Sequence, residues 1–428
     1  MLWLYRILYL PALVLGAPFY LWRMRKRGGY RENFGQRFGR VAALPPKPPG
    51  VKRIWLQAVS VGEMLAIGPL LAAWQRQGGV EVYLTTTTST GYQLAKERYR
   101  DATIGIGYFP LDWAPFSARA WRAVQPDLAL LTEGERWPEH IHQAVRRSVP
   151  IVCVNARMSD RSFRRMARFK AAVQPLLGGI TRLLACSEHD AERFRALGFP
   201  AERITTTGSI KLDVTIPALS ADEKAQLRHD LGLPDEGLII MGASTWEGEE
   251  AAMVKALQTA RAAGHTCSLL LVPRHAERRG AIELLLRGRG VSFHFRSRGS
   301  AKATVDVAVG DTTGEMRKFL QLADVVFVGK SLPPHTEGQT PVESAILGRP
   351  LLFGPGMGNF RLIARELTAG GAAQLVPDAA ALIERVTALL GDPAQRDAMS
   401  AAGQTWHQAN VGAVERTLAA LQDSGLVQ

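Results

Sequence analysis

The chain is expected to be an α/β protein of two domains, each built on a parallel sheet. Three observations carry this. Short apolar runs such as Asp324 to Val328 and Pro350 to Phe353 alternate with Gly-rich turns and helical patterns. The alternation occurs twice, with a polar stretch near Val214 to Asp222 between the two sets. At 428 residues the chain is long enough for two separate cores. Two such domains of similar size facing a cleft are the most economical arrangement.

Taken in order, Leu2 to Trp22 is apolar except for Arg6, with Trp3, Tyr5, Tyr9, Tyr20 and Trp22 towards its ends. At about 21 residues it is just long enough to cross a bilayer. Arg23-Met24-Arg25-Lys26-Arg27 comes next, and no small-residue cleavage site is evident, so the segment reads as an uncleaved anchor. The positive-inside rule places the chain beyond Trp22 in the cytoplasm. Arg6, Pro11 and Pro18 weaken the spanning reading, and a helix lying in the interface is the alternative. A basic segment, Gly28 to Arg40, leads to a Pro-rich linker, Leu44 to Gly50.

Lys52 to Val59 is the first expected strand, followed by an apolar helix from Met64 to Trp74. Val80 to Thr85, Leu128 to Thr132, Ile151 to Asn155 and Leu183 to Cys186 continue the first set. The second set starts at Leu238 to Gly242 and runs through Leu269 to Val272 and on to Leu351 to Phe353. Helices at about Ala379 to Leu390 and Ala394 to Ala419 close the chain.

Lys and Arg number 52 against 39 acids, a net +13 that asks for an anionic partner. Residues 1–40 hold eight Arg and Lys and one Glu, more than half of that excess, beside the apolar segment. This distribution favours a membrane surface and phosphorylated substrate over nucleic acid, for which no aromatic-basic motif is evident. Cys153, Cys186 and Cys267 are widely spaced and read as reduced structural thiols.

The stretch from Val309 to Pro355 points to a nucleotide, and most simply a nucleotide-sugar. Two turns there carry acids at helix starts, Gly314-Glu315 and Thr340-Pro341-Val342-Glu343. Helix N-termini offer N–H groups to phosphate while a carboxylate can take a ribose hydroxyl pair. Each acid alone is also explained as a first-turn helix residue. Gly329-Lys330-Ser331 ends like a P-loop, but Asp324 stands where its first glycine belongs, and no dinucleotide fingerprint occurs.

Further candidates recur at strand ends. Glu63, after Ser60 and Gly62, can act as a general base or simply sit in the first turn of a helix. In Thr132-Glu133-Gly134-Glu135 the two acids can point in opposite directions. Arg161, Arg164, Arg165 and Arg168 share one helical face that suits lipid or substrate phosphates, or solvent. Lys211 can neutralise a leaving phosphate. Gly242-Ala243-Ser244-Thr245, leading to Glu250, suits phosphate, and Arg274 after Pro273 can fork onto phosphate or a base carbonyl. No Asp-x-Asp motif occurs and His140 and His142 have no evident third ligand, so no metal or other cofactor is expected.

In order, these segments resemble the 3-deoxy-D-manno-octulosonic acid (Kdo) transferases of lipopolysaccharide synthesis. The resemblance rests on the apolar N-terminus, Arg31-Glu32-Asn33-Phe34-Gly35-Gln36-Arg37-Phe38-Gly39, Ser60-Val61-Gly62-Glu63, Asn155-Ala156-Arg157, Ser187-Glu188 with Asp190 to Phe194, Thr207-Gly208 with Lys211, Pro273-Arg274-His275, and Gly310-Asp311-Thr312 with Gly314-Glu315. It implies a GT-B fold, CMP-Kdo as donor, a lipid A precursor (lipid IVA) as acceptor, and inversion. It implies a base at Glu63, transition-state stabilisers at Glu133 and Lys211, and CMP contacts at Pro273, Arg274, Thr313, Gly314, Glu315, Thr340, Pro341, Val342 and Glu343. With it the expected organisation is an anchor and basic flank at 1–27, an acceptor-binding Rossmann-like domain at 28–213, a linker at 214–222 and a CMP-Kdo domain at 223–428. The closing helices are free to pack back on the first domain. The expected location is the inner membrane, catalytic domains on the cytoplasmic side against an anionic leaflet. Trp246 stands where the family usually has His, and Glu337-Gly338-Gln339-Thr340-Pro341 where it usually has Gly-Gly-His-Asn-Pro. The competing readings are a GT-B enzyme using a UDP-sugar on another lipid and a non-catalytic membrane-binding relative.

Overall fold

A computed structural model of the protein describes residues 2–27 and 32–427. Arg31 and the glycines at 28 and 29 therefore lie outside the described residues, as do the side chains of the basic run 23–27. The chain forms two compact units, Met1–Asp213 with Asn410–Gln428, and Val214–Ala409.

The first unit carries a seven-stranded parallel sheet: β1 (Lys52–Gln57), β2 (Val80–Thr86), β3 (Gly105–Tyr108), β4 (Leu128–Thr132), β5 (Ile151–Ala156), β6 (Arg182–Ala185) and β7 (Ile204–Thr206). Their order is β3-β2-β1-β4-β5-β6-β7. Helices cover both faces, so the central strands bury residues on both sides and read as continuous apolar runs. Ile54, Leu56, Leu128 and Leu130 face a layer with Leu70, Trp74, Leu418 and Leu421. Trp55, Ala129, Leu131 and Ile151 face the other, with Trp121, Ile141 and Phe194.

The second unit repeats the plan with β8 (Leu238–Thr245), β9 (Cys267–Pro273), β10 (Phe293–Phe295), β11 (Val307–Val309), β12 (Val325–Val328), β13 (Leu351–Phe353) and β14 (Ala373–Leu375). Its order is β10-β11-β9-β8-β12-β13-β14. In each sheet the order reverses once, between β1 and β4 and between β8 and β12. Ligands of open parallel sheets bind beyond the strand ends at this reversal.

Five strands were not expected: β3, β7, β10, β11 and β14. All are three or four residues long, and β3, β7, β10 and β14 are sheet edges. The four edge strands are only partly buried, so they carry no continuous apolar run of the kind that marks β12 and β13. The helix expected from Met64 to Trp74 is two, Val61–Ala66 and Gly68–Gln77, divided at Ile67 ahead of Pro69. The expected closing helix from Ala394 to Ala419 is likewise divided, into Pro393–Asn410 and Ala413–Asp423. Gly412 between them has φ +86°, a conformation that suits glycine. The Asp213 carboxylate accepts the Gly412 and Val414 N–H groups, which fastens the last helix to the first unit.

The basic segment near residue 37 has a structural role. Gln36 accepts the Tyr108 N–H at 2.8 Å, closing the edge strand β3. Arg37 is buried, donates to the Thr87 carbonyl at 2.7 Å and lies over the Tyr108 ring. It is not free to meet lipid.

Candidate active site

In the first unit the sequence-predicted residues gather at the β1–β4 reversal. Ser60 caps the helix Val61–Ala66, its hydroxyl accepting the Glu63 N–H at 3.2 Å. Glu63 folds back over its own cap, as a third-position acid does in a capping box. Its Oε2 accepts the Val59 N–H at 3.0 Å and the Thr132 hydroxyl at 2.5 Å. Its Oε1 accepts the Ser60 hydroxyl at 3.0 Å. A carboxylate oxygen has two acceptor positions. The hydrogen bonds thus fill Oε2 and leave one position on Oε1.

β4 is followed at once by Glu133, whose φ of +52° turns the chain sharply out of the sheet. Glu133 pairs with Lys211 and is reached by Asn155 Nδ2 at 3.4 Å. Asn155 Oδ1 accepts the Ile210 N–H at 3.1 Å, so one side chain touches Glu133 and the backbone just before Lys211. A Cβ on Gly62 would stand 3.9 Å from Lys211 Nζ, which puts the ammonium beside the Glu63 turn. Glu135 turns back towards Glu63. Burial first, then the charge of Glu63, pushes its carboxyl up to about 7. The two acids of Glu133-Gly134-Glu135 therefore serve different neighbours.

His140 is a core residue. It accepts the Trp121 indole N–H at 3.0 Å and packs edge-on against Trp55. Burial lowers it to about 3, so it stays neutral. Among the described residues no group of three His, Cys, Asp or Glu side chains could hold a metal ion. Arg161, Arg164, Arg165 and Arg168 are all exposed on the helix Asp160–Arg168.

In the second unit the β8–β12 reversal is closed internally. The buried Glu249 carboxylate accepts the N–H groups of Trp246, Lys330, Ser331 and Leu332 at 2.8–3.1 Å. The turn from Gly242 to Glu250 was expected to suit phosphate; it instead supplies Glu249, whose carboxylate takes the Trp246 N–H of that turn and three N–H groups of the turn Lys330-Ser331-Leu332 after β12. Gly329 has a packing role, because a Cβ there would collide with the Ser244 carbonyl oxygen. Ser244 and Lys330 have φ of +55° and +57°, as Glu133 and Asn155 have similar values in the first unit. Left-handed non-glycine residues cost about 1 kcal/mol or more each and gather at functional strand ends.

Around this closure stand the expected nucleotide residues. Pro273 ends β9, and the exposed Arg274 is tied by its N–H to the Thr245 carbonyl at 3.1 Å. Thr313 and Gly314 are exposed, and Glu315 pairs with Arg296 at 3.4 Å. Thr340 is exposed and its hydroxyl accepts the Val342 N–H at 3.3 Å; Pro341 and Val342 are buried. Glu343 pairs with Arg317 at 2.9 Å, joining the Gly314-Glu315 turn to the Thr340–Glu343 turn. Trp246 meets His275 edge-on, and Lys330 Nζ lies 4.5 Å from its ring centre. A cavity of about 720 Å³ lies beside this group, lined by His335, Phe353, Met357, Arg361 and Arg365, and none of the predicted residues lines it.

A family profile described as 3-deoxy-D-manno-octulosonic-acid transferase (kdotransferase) matches residues 32–214. The 3-deoxy-D-manno-octulosonic acid transferase of Bordetella pertussis is 38% identical over 96% of both chains. That of Haemophilus influenzae is 33% identical over 91% of this chain and 90% of its own. The chain belongs to the 3-deoxy-D-manno-octulosonic acid transferases. It is a glycosyltransferase. A solved glycosyltransferase of Rickettsia africae, 10% identical, covers 87% of this chain and 98% of its own with a TM-score of 0.58. That likeness shows the fold, two Rossmann-like sheets of GT-B type.

Sequence reading of this transferase passed over Thr132 as a partner of Glu63, and Glu249 as an internal anion. Thr132 is the last residue of β4, and only strand order puts it beside β1. Glu249 could have been suspected from its place in the first turn of the helix Glu249–Ala262.

Proposed function

We propose that the chain transfers Kdo from CMP-Kdo to a lipid A precursor with inversion, at a lipid surface. The observation that carries the reading is the Glu63 carboxylate, oriented by Val59, Ser60 and Thr132 with one acceptor position on Oε1 left over. The acceptor is a sugar hydroxyl, whose proton must leave as its oxygen bonds to the anomeric carbon. Glu63 takes that proton. The bond from the anomeric carbon to the CMP phosphate oxygen breaks, and CMP departs with the electron pair. A single displacement inverts the centre and needs one base.

Lys211, paired with Glu133, offsets the charge of the departing phosphate. The second unit holds the nucleotide. Arg274 forks onto phosphate or base, while Glu315 and Glu343, at paired helix starts, take ribose hydroxyls. Pro273, Thr313, Gly314, Thr340, Pro341 and Val342 shape the backbone around them. The N-terminal helix keeps the enzyme at the inner membrane, with both units on the cytoplasmic side.

The test is the mass of the product lipid. Purified protein is incubated with lipid A precursor and CMP-Kdo, and separately with UDP-sugars. A gain of one or more Kdo residues is expected with CMP-Kdo alone. Product only from a UDP-sugar, or none from any donor, would overturn the reading.

A further inference from the structure

The N-terminal helix Leu2–Arg27 is long and apolar enough to cross a bilayer, by length and composition alone. Its residues Tyr5, Arg6 and Tyr9 bond to the folded unit. The Tyr5 hydroxyl donates to Asp112 Oδ2 at 2.7 Å, and the Asp112 N–H donates to the Tyr9 hydroxyl at 3.1 Å. Arg6 grips Glu139 with two bonds, at 2.7 and 3.0 Å.

Both acids belong to the folded unit. Asp112 caps the helix Pro138–Arg146, accepting the N–H groups of Glu139 and His140 at 3.0 and 2.9 Å. Glu139 is 0% exposed and also accepts from Gln143. Arg6 is its cation. Removing the Arg6 charge while the helix stays docked would leave a buried, uncompensated carboxylate, which is strongly destabilising.

The stripe continues along the helix. Leu2, Tyr5, Arg6, Tyr9, Leu13 and Ala17 are half-buried, at helical spacing on one face. Trp3, Ile7, Leu8, Val14, Leu15 and Phe19 lie on the opposite side and are exposed. A spanning helix would have to leave this contact over most of its length.

We infer that this helix lies flat along the first unit in the lipid–water boundary, clamped by Tyr5, Arg6 and Tyr9, and lays its outer face into one leaflet. The inference rests on the membrane association proposed above. The occupant is an anionic lipid surface: an apolar stripe is followed in sequence by four basic residues among positions 23–27. Arg6 is spent on Glu139, so it does not burden the apolar face.

The topology test uses the full chain with a short N-terminal epitope and sealed inner-membrane vesicles of both orientations. Protease should remove the epitope when the face bearing the catalytic units is outermost, and spare it otherwise. Removal only from the opposite face overturns the clamp while membrane association stands. Failure of the protein to float with phosphatidylethanolamine–phosphatidylglycerol vesicles overturns both. Thermal unfolding of Arg6→Gln, Glu139→Gln and the double variant tests the pair itself. Arg6→Gln should lower the midpoint, and adding Glu139→Gln should recover part of the loss. Strictly additive losses would overturn the clamp.

Discussion

The Thr132 hydroxyl donates to Glu63 Oε2 at 2.5 Å across the strand reversal of the first sheet. The two residues are far apart in sequence, but Thr132 ends β4 and Glu63 lies in the first turn of the helix after β1, which pairs with β4 from Ile54↔Leu128 to Gln57↔Leu131. This bond and the Val59 N–H occupy the inner carboxylate oxygen and aim the outer one. A carboxylate positioned this way keeps its orientation without substrate having to order it.

Glu63→Gln keeps the size of the side chain but cannot accept the proton. Turnover should fall about 10²- to 10⁴-fold, with the fold and CMP binding retained. Thr132→Val should lose less, because Val59 and Ser60 still hold the carboxylate. Rates under saturating donor, beside calorimetric CMP binding, decide the matter. Near-normal turnover in Glu63→Gln would move the base elsewhere, with Glu135 or Glu133 next in line.

Lys211→Met should lower the rate of donor cleavage and also release Glu133, which would then stand near Glu135 without its cation. The expected signature is a fall in kcat larger than the rise in donor KM. A change confined to KM would make Lys211 a binding residue alone.

Arg274→Ala should weaken CMP binding about 10- to 100-fold, the size of a charge-assisted hydrogen bond. Arg317→Ala frees Glu343 from its ion pair and should disturb CMP binding less. Calorimetry on both separates a direct contact from a positioning one. Unchanged binding in Arg274→Ala would remove it from the site.

Glu249→Ala leaves four backbone N–H groups without their acceptor. A loss of about 1–3 kcal/mol in folding stability is expected, with Glu249→Gln intermediate. If added phosphate restores stability to Glu249→Ala, the vacated N–H groups of Trp246 and of Lys330 to Leu332 bind an anion. Denaturant midpoints with and without phosphate provide the check.

Glu135 gives the pH dependence a sign. Burial raises its carboxyl from 4.5 to about 7, so the folded state holds a proton that the unfolded chain has released. Its contribution is fully present below about pH 4.5 and is lost as pH rises through about 7. Glu135→Gln, neutral throughout, should remove this decline. Urea midpoints at pH 5 and pH 8 test it: an unchanged pH difference in the variant would show that other groups set it.

The sequence alone determined the two α/β sets, because fully buried parallel strands must be apolar and their turns must be small and polar. It also determined which strand ends carry acids and cations, and so the positions of Glu63, Glu133, Lys211, Arg274 and Glu343. It did not reveal strands of three or four residues at sheet edges, which bury too little to leave a periodic mark. Tertiary structure decided what these charges face. Strand order set Thr132 against Glu63, and Asn155 tied Glu133 to the backbone just before Lys211. Glu249 turned its carboxylate onto the N–H groups of Trp246 and of Lys330 to Leu332. Arg37 was buried and Arg6 was drawn from an apolar segment onto Glu139. In most of these cases the partner lies dozens of residues away, and its field acts only once the chain has closed around it. Composition records that a helix is apolar, but whether it crosses a bilayer or lies along a domain depends on the buried acids waiting beside it.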